Sequence, residues 1–299
     1  VNRTEKPEVL KLLWPSIVFL TWLACAAHAR AAPPLNTQRE LNRFHVVLDP
    51  GHGGSDHGAS YRENGKLIEE KTLTLALARE AAKQLRDRGI EVSLTRSTDV
   101  EVPLAVRTAF ANRLGAQLFI SLHMNSSQGQ LSKAEGVETY ILNTTTDASS
   151  RRLARLENSV IGNQLEAVES DQTDVALILK DLQLDGNLAE SKRLACLLQT
   201  ELVGDTTRLY PKLARQPLKA RDRGVKQALF HVLLGADMPS ALIEAGFMTS
   251  ARDRKLILSR DGRVTMAKAI ADAVDAYRRN RGPAVARFQP SRATAMLCQ

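Results

Sequence analysis

At 299 residues, 43% of them hydrophobic and 25% charged, the chain has ordinary globular composition and enough length for one large domain or two small ones. A net charge of +8 suits an anionic partner such as a wall polymer, a membrane surface or nucleic acid, but only 4% of residues are aromatic and no nucleic-acid-binding motif is present, which argues against nucleic acid. Three cysteines make no disulfide framework.

Residues 1–29 carry Arg3, Lys6 and Lys11 ahead of a mostly apolar run from Leu12 to Ala27, and Ala27-His28-Ala29 offers a small-x-small cleavage site. The run is shorter than the roughly 18 residues a spanning helix needs, so it reads as a secretory signal peptide, with a periplasmic product and no stable membrane anchor after cleavage. A polar leader, residues 30–43, follows. Beyond it, Cys196 lies in the apolar helical stretch "LACLL" and is expected as a small core residue.

From Phe44 the chain alternates strand and helix. Residues 44–48 read as a strand that Asp49-Pro50-Gly51 ends, since Pro50 cannot donate to a ladder and the glycines of "GHGGSDHG" permit unusual backbone. A helix from about Glu69 to Arg88 follows, with Leu73, Leu77, Ala81 and Leu85 on one stripe and Gly89 as its stop. Ile90, Val92 and Leu94 alternate as a second strand, "VPLAVRTAFANRLG" gives a second helix, and "AQLFISLH" and "GVETYIL" a third and fourth strand. Residues from Asn143 to about Arg215 read as helical throughout, an insertion of about 143–215 with Leu194, Leu198 and Leu202 in register. "ALFHVLL", "PSALIEAGF" and a last helix, "GRVTMAKAIADAVDAYRRN", restore the alternation, and residues 282–299 read as a flexible tail. The pattern predicts one α/β domain, residues 44–281, built as a three-layer α/β/α sandwich on a mostly parallel sheet.

Functional groups of open α/β sheets collect beyond the carboxyl ends of the strands. "VVLDPGH" leads to His52, "LFISLH" to His123 and "SALIE" to Glu244, and Glu70 opens the helix after the glycine loop. Two His and a Glu form the ligand set of several catalytic zinc sites, and a further carboxylate can serve as general base. Each histidine taken singly also has a bland reading as a hydrogen-bonded structural group. His57 is expected to be exposed or to support a ligand, His45 and His231 to be structural residues within strands, Asn125 to orient a ligand or satisfy a turn, and Arg107 to make a structural ion pair.

"VVLDPGHGG", "EEK", "SLHMNS" and "RGVKQALFHVLLGADMPSALIEAGFMTS", in this order between Phe44 and Tyr277, resemble the zinc-dependent N-acetylmuramoyl-L-alanine amidases of the bacterial cell wall. The resemblance implies one zinc per chain held by His52, Glu70 and His123, with Glu244 as catalytic carboxylate and peptidoglycan as substrate. It departs from the family pattern at Met124 and Ala245, neither of which removes a functional group. The inserted segment is similar to that of division-associated members, in which a helix covers the zinc until an activator displaces it; the resemblance implies Glu157 as the blocking residue and a LytM-domain protein as the activator. Two alternatives use the same residues: a zinc peptidase acting on stem peptides, and an inactive wall-binding module.

Overall fold

The computed structural model describes residues 44–127, 134–159, 184–214, 221–279 and Cys298. All belong to the unit Phe44–Gln299, one of two into which the chain divides; residues 1–43, over which the signal and leader are expected, lie outside the described residues, as does the expected tail apart from Cys298.

Eight strands are described: β1 (His45–Pro50), β2 (Ser60–Glu63), β3 (Lys66–Glu69), β4 (Glu91–Leu94), β5 (Leu118–Asn125), β6 (Val137–Leu142), β7 (Asp222–Ala228) and β8 (Ser240–Phe247). Six of them form one sheet in the order β4-β1-β5-β8-β6-β7. The first four run parallel; β6 is antiparallel to β8, and β7 is parallel to β6. The helices are α1 (Glu70–Arg86), α2 (Leu104–Arg113), α3 (Ala148–Asn158), α4 (Leu184–Ala214), α5 (Ala251–Ile257) and α6 (Arg260–Arg279).

The period-2 alternation of β1 sorts its side chains into two cores. Val46 and Leu48 join Leu77 and Leu85 of α1, Leu194, Leu198 and Leu202 of α4 and Ile270 of α6 on one face. Val47 turns to the other, with Ala111 of α2, Leu153 of α3, Phe119, Tyr140 and Phe230. This is the expected three-layer α/β/α arrangement on a mostly parallel sheet.

Four expectations change. The stretch read as one insertion divides, because α4 is an integral layer helix whose Leu194, Leu198 and Leu202 are fully buried, whereas α3 alone reaches the opposite face; residues 160–183 and 215–220 lie outside the described residues. The strand expected over "ALFHVLL" lies upstream, at β7, and His231–Leu233 is a turn of 3-10 helix, so His231 is not in a strand. Its apolar residues read as strand but point into a core, while the edge strand takes the charged Arg223 and Lys226 that suit an open edge. The hairpin β2–β3 turns on Asn64 and Gly65, both at positive φ, and that Asn-Gly pair is a strong hairpin signal.

The fourth change concerns Cys196, which is buried as expected but forms a disulfide with Cys298, 102 residues along the chain. The bond ties the end of the tail to α4. Closing a loop of that length stabilises a fold by about 2–4 kcal/mol. Cys298→Ser is therefore expected to lower the thermal midpoint by several degrees, and an unchanged midpoint in calorimetry would show that the bond adds nothing.

Candidate metal centre

The glycine loop is shaped by what lies against it. Gly51 N–H donates to the Leu122 carbonyl at 3.0 Å, which lays the loop across the end of β5, and a Cβ at Gly51 would overlap the His123 ring. A Cβ at Gly58 would lie 2.7 Å from Glu70 Oε2 and overlap the His52 ring. Both positions thus need glycine for close approach. His52 itself sits at φ 61°, in the left-handed region that costs a non-glycine residue energy and persists only where its surroundings hold it.

Four donor atoms converge. Glu70 Oε1 lies 3.1 Å from His52 Nε2 and 3.2 Å from His123 Nδ1. Glu157 Oε2 lies 3.3 Å from the same His52 nitrogen and 3.0 Å from the same His123 nitrogen. One atom from each residue falls within 4.8 Å of the others, and the imidazoles meet edge-on with centroids 4.9 Å apart.

Support from behind sets each ligand's orientation. Asp56 Oδ2 bonds His52 Nδ1 at 2.8 Å, which directs Nε2 into the cluster; a carboxylate behind a ligand imidazole is a common way to fix its tautomer and raise its basicity. Glu70 accepts the Ala59 amide on Oε2 and the Met124 amide on Oε1, each at 2.8 Å. Burial disfavours charge on the imidazoles, but Glu70, Asp56 and Glu157 outweigh it and raise His52 to about 10, while Glu157 and Glu70 raise His123 to about 10. Burial likewise opposes charge on Glu70, and the two imidazoles overcome it and hold its carboxyl well below the usual range.

His52 Nε2, His123 Nδ1 and Glu157 Oε2 are buried and, apart from their contacts with one another and with Glu70, meet no hydrogen-bond partner among the described residues. A buried polar atom without a partner is costly unless something else meets it. Two imidazole nitrogens and carboxylate oxygens pointing at one place fit a zinc ion.

Glu244 lies beside this group. His123 and Glu244 are direct register partners on the neighbouring strands β5 and β8, so their side chains leave the same face of the sheet. Glu244 is fully buried, neither carboxylate oxygen has a partner, and burial with the nearby carboxylates of Glu157, Glu70 and Glu138 pushes it well above the usual carboxylate range. β8 runs on to Phe247, so Glu244 stands inside the strand and not at its end.

Glu157 arrives from α3. Asp147 caps that helix by accepting the Ser150 amide at 2.8 Å, and Leu153 and Ala154 seat it in the second core. At its other end Asn158 Nδ2 donates to the Leu229 carbonyl and its Oδ1 accepts the His231 amide, both at 2.9 Å. The side chain of Glu157 is 13% exposed.

The remaining polar residues have plainer partners. Arg107 pairs with fully buried Asp49 at 2.8 Å, the expected ion pair. His57 is more than half exposed and bonds Glu69, and His45 bonds Ser93. Asn125 donates to Glu138 Oε2 at 3.1 Å. Asp56 went unnoticed in sequence, although its place four residues after His52 in a glycine turn was a usable signal.

A family model described as N-acetylmuramoyl-L-alanine amidase matches residues 46–276. The N-acetylmuramoyl-L-alanine amidase AmiC of Neisseria meningitidis is 34% identical over 236 residues, 78% of this chain but 52% of that protein, so the chain spans about half of this relative. AmiA of Escherichia coli, of the same description, is 32% identical over 78% of this chain and 75% of its own length. Among solved structures, an N-acetylmuramoyl-L-alanine amidase from Clostridium difficile 630 superposes with a TM-score of 0.57 at 27% identity, over 81% of this chain and all of the other.

Proposed function

The chain belongs to the N-acetylmuramoyl-L-alanine amidase family, and from that premise we propose that it is a zinc hydrolase of peptidoglycan, cleaving the amide between N-acetylmuramic acid and the L-alanine of the stem peptide. The observation that supports this most is the convergence of unbonded buried donors with an unbonded carboxyl one strand away.

His52, Glu70 and His123 would hold the zinc. Bound there, zinc supplies Lewis acidity, drawing charge from an amide carbonyl and making a water more acidic. Glu244 takes the proton from the attacking water and returns it to the departing alanine nitrogen. A carboxyl that burial and neighbouring carboxylates hold well above the usual range suits a group that must take up a proton and give it back. Asp56 keeps the His52 tautomer correct throughout.

Glu157 is read as a plug. A catalytic zinc site needs a position open to water and substrate, and a fourth protein ligand, here a carboxylate, converts the set to the closed, structural kind. Withdrawal of α3 would open it, and a periplasmic partner such as a LytM-domain protein, binding α3, would drive the change. Residues 1–29 support export to that compartment. Among the described residues no helix is long and apolar enough to cross a membrane.

Digestion of purified peptidoglycan by the zinc-loaded chain, with products identified by mass, tests the bond cleaved. Intact stem peptides bearing a new L-alanine amine are expected. Shortened stem peptides would point to a peptidase instead.

A further inference from the structure

The two buried arginines behind the glycine loop, Arg96 and Arg107, are 3% and 2% exposed and lie 11 residues apart on different segments. Their guanidinium groups both reach Pro50 O and divide the next two peptide carbonyls between them. Arg96 donates from Nε to Pro50 O at 3.0 Å and from Nη2 to Gly51 O at 2.8 Å. Arg107 donates from Nη1 to Pro50 O at 2.9 Å and from Nη2 to His52 O at 3.1 Å. Every carbonyl from Pro50 through His52 therefore accepts from a guanidinium.

Each arginine is itself anchored elsewhere. Arg96 Nη2 also donates to Lys71 O at 2.8 Å and to Thr74 Oγ1 at 3.1 Å, both on α1, the helix that Glu70 opens. Thr74 Oγ1 in turn donates to Gly51 O at 2.9 Å. Arg107 reaches Val102 O with Nε and Asp49 Oδ1 with Nη1, and Asp49 is held further by Thr95 and Ser121. Asp49 is kept ionised against its burial by Arg107 and these hydroxyls.

Electrostatics alone would not place these residues here. Two guanidinium charges close to a cation site oppose the cation, and Arg96 is held below its ordinary pKa by burial and by Arg107. What they supply is geometry: a rigid fork of N–H donors for the carbonyls at the end of β1 and the start of the glycine loop, where His52 stands at φ 61°. We propose that Arg96 and Arg107 are positioning residues for the metal centre, clamping the carbonyls of residues 50–52 so that His52 is presented at its left-handed backbone angle in register with Glu70 and His123. The proposal rests on the zinc reading of those three residues, but not on the reaction assigned to them.

The test measures zinc affinity of the full chain by competition with a chromogenic chelator, alongside thermal unfolding in excess chelator, for the unsubstituted protein, Arg107→Lys and Arg96→Lys. Lysine keeps the charge but cannot reach several carbonyls at once. Loss of support behind a ligand weakens metal binding by about 10- to 100-fold, and that is the expected loss for each variant, with cooperative unfolding retained. Unchanged affinity in both folded variants would overturn the proposal, and so would failure of both to fold, because the arginines would then serve the fold and not the loop. An unsubstituted chain that bound no zinc would overturn the metal-centre reading and this proposal together. Peptidoglycan cleavage plays no part in the readout, so an error in the substrate leaves the result intact.

Discussion

Glu244→Gln is expected to lower peptidoglycan cleavage by about 100- to 10,000-fold, the range that a lost general acid–base group commands. The substitution keeps the shape of the side chain and removes only its capacity to take and return a proton. Neither Glu244 oxygen has a hydrogen-bond partner among the described residues, so an amide breaks no hydrogen bond described there. Burial and three neighbouring carboxylates already oppose the ionised form, so a neutral amide should not destabilise the strand. Zinc affinity should stay close to that of the unsubstituted chain, because the proposed donors are His52, Glu70 and His123 and not Glu244. Measured together, retained zinc, an unchanged thermal midpoint and lost cleavage would identify the proton carrier. A variant that still released stem peptides at the normal rate would remove Glu244 from that role.

Glu157→Ala should act in the opposite direction, raising cleavage in the absence of any partner by about 5- to 150-fold, the span of typical coupling between a regulatory element and a site. The carboxylate contacts both imidazoles, at 3.3 and 3.0 Å, while α3 is fastened separately by Asn158 and by Leu153 in the core. On the plug reading, removing the side chain would unblock the centre without detaching the helix. Deleting the segment is the stronger perturbation, and it should end before Leu184, because α4 carries fully buried residues that belong to the layer. Lower activity in Glu157→Ala would mean that this carboxylate is a working ligand, and the plug reading would fall.

Much of the architecture was legible because local rules were obeyed. Successive residues of "HVVL" face the two cores in turn and the four-residue stripe of α1 faces one of them, so period and burial agree. The stretch after β6 was misread because helical periodicity is the same for a layer helix and an inserted one; only the packing of Leu194, Leu198 and Leu202 against the sheet separates them. "ALFHVLL" failed for a related reason, since a short apolar run states that a segment is buried and not which backbone it adopts.

By itself, the sequence determined the chemistry available: His52 in a glycine loop, Glu70 at a helix start, and His123 and Glu244 in apolar strands, with a family pattern running across them. It also carried the alternation that makes an α/β sheet. Tertiary structure alone decided which groups meet. The pairing of His123 with Glu244 is a matter of strand register, the approach of Glu157 depends on where α3 seats, and the Cys196–Cys298 bond joins points 102 residues apart. The same holds for Arg96 and Arg107, whose shared carbonyl, Pro50 O, lies more than 40 residues earlier in the chain. Local propensity acts over a few residues, whereas these contacts arise when a sheet and two cores bring distant segments to one place.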